Sequence, residues 1–105
     1  MARPDGYKDF VLDQLAALDG LTCRAMFGGH GLASEGTFFG IIHKGRLYFR
    51  THPGTLPAYR ARSMKPFRPT AYQTLKHYYE VPVEIVESPE DLVEWAIQAL
   101  AATAP

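Results

Sequence analysis

Glycine punctuates the first half of this chain at intervals that leave room for little but short antiparallel strands. Met26-Phe27-Gly28-Gly29-His30-Gly31-Leu32 is followed by Gly36-Thr37-Phe38-Phe39-Gly40-Ile41-Ile42 and then by Gly45-Arg46-Leu47-Tyr48-Phe49-Arg50. Apolar runs of this length, broken by glycine, read as strands joined by tight turns rather than as helix.

The spacing predicts a first strand over Thr22–Phe27, a turn region at Gly28-Gly29-His30-Gly31, and a second strand running to about His43. A break in that second strand near Ser34-Glu35-Gly36 is left open. Lys44-Gly45 is a two-residue hairpin connection, because glycine accepts the positive φ of a primed turn. Arg46–Thr51 is the third strand. Pro66 and Pro69 hold their segment extended, and Pro69 confines any strand there to a short or edge position. Tyr72–Val81 reads as a longer strand.

Helices flank and interrupt these strands. Tyr7, Phe10, Val11, Leu15 and Leu18 recur at helical spacing, predicting a helix over Gly6–Leu18 with Asp5 as N-cap and Gly20 beyond its end. A short helix is expected over Leu56–Arg62. Ser88-Pro89-Glu90-Asp91 opens the last helix, with serine at N-cap, proline at N1 and acids in the first turn. Its apolar stripe is Leu92, Trp95, Ala96, Ala99 and Leu100, which marks Trp95 as a core anchor, and Ala101–Pro105 is expected to fray. The order α-βββ-α-ββ-α indicates a two-layer α+β fold, an antiparallel sheet with helices on one side.

A chain of 105 residues, 47% hydrophobic, is expected to form one domain over 1–105 with one core. The single Cys23 excludes an internal disulfide and suits a reducing cytoplasm. No basic stretch leads into an apolar core at the N-terminus, and no apolar run approaches the ~20 residues of a membrane helix, so no membrane partner is expected. The zero net charge hides a segregation. Residues 24–77 hold nine bases against the single acid Glu35, whereas residues 78–105 hold six acids and no base.

Little in the sequence points to catalysis. Gly28, Gly29 and Gly31 match no phosphate-loop pattern and lead into a strand rather than a helix. His30, His43, His52 and His77 have no ligand spacing, so no metal or cofactor is expected. Cys23 shares its parity with Ala25 and Phe27 and reads as a small buried hydrophobe.

Strand parity is more informative. Arg24 faces away from Cys23 and Ala25; Arg46, Tyr48 and Arg50 face away from Leu47 and Phe49; Lys76 faces away from Leu75 and His77. With helices on the apolar side, Arg24, Arg46, Tyr48, Arg50 and Lys76 would form one positive face, able to hold phosphates and stack bases weakly. An ordinary solvated sheet face is the alternative. The middle strand is apolar on both parities, Phe38 with Ile42 and Phe39 with Ile41, and an isologous homodimer would supply the second cover.

The chain resembles the N-terminal domain of the TfoX (Sxy) family of bacterial competence regulators. The resemblance rests on Met26-Phe27-Gly28-Gly29-His30-Gly31-Leu32, Met64-Lys65-Pro66-Phe67-Arg68-Pro69, Tyr78-Tyr79-Glu80-Val81-Pro82 and the closing helix. It extends to Leu47 and Tyr48, and within these runs Met26, Phe27, Gly28, Gly29, Gly31, Lys65, Phe67, Tyr79 and Pro82 match the pattern as core and turn positions. It implies a two-layer fold and a regulatory, non-enzymatic module acting through protein or weak nucleic-acid contacts. The second domain of longer members is expected to be absent here, which weakens the implied competence role. A small enzyme or ligand-binding protein with a pocket between helix and sheet is the reading from a different class.

Overall fold

A computed structural model describes residues 4–26 and 28–101. The order is α1 (Pro4–Gln14), β1 (Leu21–Met26), β2 (Gly29–Ser34), β3 (Thr37–His43), β4 (Arg46–Arg50), α2 (Leu56–Ala61), β5 (Pro66–Thr70), β6 (Gln73–Glu80), α3 (Val83–Val86) and α4 (Pro89–Ala101). The strands form one antiparallel sheet in the order β1-β2-β3-β4-β6-β5. The expected α+β class with an antiparallel sheet holds, but four strands precede α2 rather than three.

The additional strand comes from the turns. Glu35 and Gly36 have φ of 49° and 84°, and Lys44 and Gly45 have 51° and 73°, so both pairs turn a two-residue hairpin of the primed kind. Ser34-Glu35-Gly36 therefore divides what reads as one long strand into β2 and β3. Of the glycines expected to form the first turn region, only Gly28, at φ 75°, does so, while Gly29 and Gly31 lie within β2. Both are there because of close approach. A Cβ on Gly29 would strike the carbonyl of Ile42, and one on Gly31 would strike the Phe38 ring and the Met26 sulfur. Phe27 lies outside the described residues.

The helix ends differ from the expected ones too. α1 begins at Pro4, so Asp5 is within the helix rather than capping it, and the helix stops at Gln14 instead of Leu18. At α4 the expected cap is present: the Asp91 N–H donates to Ser88 Oγ at 3.4 Å. The expected fraying beyond Ala101 lies outside the described residues.

The main core fills the helix side. Leu32, Phe39, Ile42, Leu47 and Phe49 from the sheet meet Val11 of α1 and Leu15 just beyond it, Tyr59 of α2, Ile85 and Val86 of α3, and Leu92, Ala96 and Ala99 of α4. Trp95 packs only at the margin of this core. It is half-buried, with its ring 4.9 Å from that of Tyr59 and 5.5 Å from the Arg62 guanidinium, so it is not the deep anchor its stripe suggests.

A smaller core lies on the other face of the sheet: Ile41, Tyr48, Phe67 and Tyr78, with Phe38 and Leu75 against it. Strand parity does not predict this sorting. Leu32 pairs with Gly40 and Ala33 with Phe38, so one extra residue bulges at Phe39 and the alternation reverses beyond it. Phe39 and Ile42 consequently share the helix side, and Phe38 and Ile41 share the other. β5 supplies the cover for that second side. The Phe67 ring reaches past β6 to lie 4.6 Å from Tyr48 of β4 and 5.1 Å from His43 of β3.

Candidate anion-binding cleft

Paired residues on adjacent strands share a face, so the register shows where the expected positive surface lies. Arg24 pairs with Gly31, Gly31 with Ile41, Ile41 with Tyr48, and Tyr48 with Glu80. The five candidate residues are thus spread across the sheet. At about 4.8 Å between strands, Arg24 stands about 15 Å from β4, with the second core between them. Tyr48 is only 8% exposed and packs against Phe67, so it offers no ring face to a base. Arg46 is held by Glu80, at 3.0 and 3.2 Å from the two carboxylate oxygens. Arg50 lies beside the hydroxyl of Tyr78. Only Arg50 and Lys76 remain together, in the lining of one cavity.

The strand predicted to need a second copy is covered by its own chain. Phe39, Ile41 and Ile42 are at most 3% exposed, and Phe38 is half-buried against Tyr78 at 5.9 Å. Phe39 and Ile42 face the helices, and Ile41 faces the Phe67 side, because of the bulge. These three therefore present no surface for a dimer contact.

The chain does bring a basic cluster together where β4 leaves the sheet. The N–H and Oγ1 of Thr51 both donate to the carbonyl of His77, at 2.6 and 3.0 Å. This pins the 51–55 loop to β6. Thr55, buried like Thr51, closes the loop: its Oγ1 accepts from the His52 N–H at 3.1 Å and donates to the His52 carbonyl at 3.2 Å. The Gly54 N–H donates to Nδ1 of His52 at 3.1 Å, which places the proton of the neutral ring on Nε2. A Cβ on Gly54 would come within 2.8 Å of that ring, so glycine is required for the arrangement.

Between this loop, α2 and β6 lies a cavity of about 410 Å³. His52, Arg60, Lys76 and His77 line it together with Leu56 and Tyr79, and no carboxylate does. A second cavity of about 280 Å³ shares Lys76 and His77 and adds Arg50 and Tyr78. Among the described residues the ion pairs are Lys8–Asp9, Arg46–Glu80 and Arg62–Glu84, which leaves Arg50, Arg60 and Lys76 without a carboxylate partner. An anion entering here meets positive charge that no carboxylate neutralises.

His52, Arg60 and His77 are absent from the sequence-derived set. They escape it because the cleft joins residues 51–60 to residues 76–79, and that juxtaposition follows from β4 pairing with β6, not from parity within one strand. The clue available was the carboxylate-free run of bases from Lys44 to Lys76.

A further cavity in the helix layer has the opposite charge. A cavity of about 410 Å³ between α1 and α4 is lined by Asp13, Glu90, Ala17 and Val93 and by no cation. Nucleophilic chemistry has little support elsewhere: burial pushes the Cys23 thiol up, against the smaller opposing effect of Lys8. Burial also lowers the pKa of His43, with Lys44 adding to it. Among the described residues no group of three or more His, Cys, Asp or Glu is placed to hold a metal ion, and no helix is long and apolar enough to cross a membrane.

The residues that carry the resemblance mostly build the fold. Phe67 and Leu47 are buried, Pro82 is the buried N-cap residue of α3, Tyr79 packs on Tyr59, and the Lys65 carbonyl accepts the Glu80 N–H at 3.0 Å. The sequence matches the family described as TfoX N-terminal domain over residues 13–103, which spans the strands, the cleft and all of α4. No curated protein matches the chain.

Proposed function

This chain belongs to the TfoX N-terminal domain family, and on that premise we propose that it is a non-enzymatic regulatory module that binds anionic partners through the cleft between the 51–55 loop, α2 and β6. The observation that carries the reading is the convergence of Arg60, Lys76, His52 and His77 on one cavity without a carboxylate among them. Arg50 extends the same charge to the other side of β6. A single-stranded nucleic acid or an acidic protein segment fits this chemistry, because each offers separate anionic groups to a concave basic edge. A groove-reading duplex contact has no support, since among the described residues no helix carries a row of bases. The single free Cys23 agrees with a cytoplasmic setting.

A salt titration of fluorescent single-stranded DNA and RNA tests the reading. Affinity should fall with salt, with a slope of about −0.7 per phosphate neutralised. An Arg60→Glu, Lys76→Glu double variant should lose binding, and Arg24→Glu, across the sheet, should keep it. Unchanged binding by the double variant, or its loss in Arg24→Glu alone, would move the site elsewhere. The absence of binding at low salt would remove nucleic acid as the partner.

A further inference from the structure

We infer that the cavity between the 51–55 loop, α2 and β6 binds a small phosphorylated ligand of about mononucleotide size. The inference rests on the reading that this cleft is the anion site, and it assigns the ligand class.

The volume is the first argument. About 410 Å³ falls within the ~300–1,000 Å³ typical of small-molecule sites, and it is a concavity rather than a track across a surface. A polymer backbone lying over the sheet would instead need Arg24, Arg46 and Arg50 in a row. The first of these stands beyond the second core, and the second is held by Glu80.

The division of the lining is the second argument. Arg60 offers a planar fork and Lys76 a point charge, and neither has a carboxylate partner among the described residues. A phosphate monoester carries close to two negative charges near neutral pH and three acceptor oxygens, which suits that pair. His52 adds an Nε2–H donor, its ring held by the Gly54 N–H. Leu56 and Tyr79 form an apolar wall beside the cations, suited to a flat organic moiety attached to the phosphate.

Preorganisation is the third. Thr51 is bonded twice to the His77 carbonyl, and His52 is bonded through its amide, carbonyl and ring. The loop that forms one wall is thus in place before a ligand arrives, which lowers the ordering cost of binding.

Isothermal titration of the full chain at low salt with three probes tests this: adenosine 5′-monophosphate, adenosine and inorganic phosphate. The monophosphate should bind, and each fragment should bind at least about tenfold more weakly, since the site engages both moieties. Arg60→Gln with Lys76→Gln should weaken the monophosphate by about tenfold or more. Arg24→Gln should leave it unchanged. Both cleft residues are exposed, and a thermal melt of each variant verifies its fold. A single-stranded oligonucleotide titrated in parallel separates the two levels. If the oligonucleotide binds through Arg60 and Lys76 and the monophosphate does not bind, the ligand class is overturned and the anion cleft survives. If neither binds, both are overturned. Equal binding of phosphate and the monophosphate would also overturn the inference, because the apolar wall would then contribute nothing.

Discussion

On the helix side of the sheet, Phe39, Ile42, Leu47 and Phe49 are sealed by residues from all four helices. On the other side, Ile41, Tyr48 and Tyr78 are sealed chiefly by Phe67, a ring contributed by the edge strand of the same sheet. The first core distributes its cover over several independent elements. The second depends on one hairpin, β5–β6, whose pairing shifts register between Pro66 and Phe67 and again before Thr70. The difference teaches that a sheet can bury both faces without a partner chain when its edge strand curls inward, and that such a face is held by fewer contacts.

Truncating one ring on each side measures that difference most directly. Phe49→Ala should cost about 3–5 kcal/mol in chemical denaturation, because a fully buried ring is removed from a core closed on every side. Phe67→Ala removes an equally buried ring but should cost less, about 2–4 kcal/mol, because its site is covered mainly by one irregularly paired edge hairpin that can close on the void. Amide exchange distinguishes the two further. In Phe67→Ala, the β5 and β6 amides should exchange ahead of global unfolding, whereas in Phe49→Ala all strands should weaken together. Uniform weakening in Phe67→Ala would show that the two cores are one cooperative unit.

Trp95 tests the margin of the helix-side core. A half-buried indole against Tyr59 and under Arg62 should cost about 1.5–3 kcal/mol when cut to alanine, below the cost of a buried ring. A loss as large as that of Phe49→Ala would mean that α4 docks more deeply than its packing indicates.

The tyrosines sharpen the comparison through pH. Burial pushes Tyr7, on the helix side, up to about 12, with Glu80 and Tyr48 adding to it, and burial alone raises Tyr59. On the other face, burial raises Tyr48 and Tyr78, while Arg46 opposes the rise at Tyr48 and Arg50 at Tyr78. A group whose folded pKa is raised binds its proton more tightly in the folded state. Stability is therefore intact below the ordinary value near 10 and is lost as pH climbs towards 12. Denaturation midpoints should fall across that window. Tyrosinate absorbance should show the Tyr48 and Tyr78 face ionising before Tyr7 and Tyr59, and Arg50→Gln should delay Tyr78. A flat pH profile to 12 would show that these rings are more hydrated than their burial implies.

The smallest effect belongs to the ion pair on the second face. Arg46 is 60% exposed at its side chain, so Arg46→Ala should change stability by about 0–1 kcal/mol despite its two contacts to Glu80. A larger loss would indicate that the pair helps to hold β4 against β6 over the second core.

Much of the secondary structure follows from residues acting locally. Gly28, Gly36 and Gly45 take φ values that side chains rarely adopt, so the hairpins are written into the chain at those points. Ser88 and Pro89 start α4 for reasons contained in one turn of backbone. Such choices depend on neighbours a few residues away, and so the class of fold and most of its elements are determined by sequence alone. The sorting of residues between faces is not. Alternation predicts Phe39 with Ile41, but the bulge opposite Leu32 and Ala33 reverses it, because a bulge is a compromise between two paired strands and leaves no mark in either one. The same holds for Phe67, whose position near Tyr48 depends on how β5 curls, and for the cleft. His52 and Arg60 meet Lys76 and His77 only because β4 pairs with β6 across the intervening helix and hairpin. Charge type and glycine position are properties of the chain; which charges share a cavity was decided by strand pairing, where contacts far apart in sequence determine the geometry.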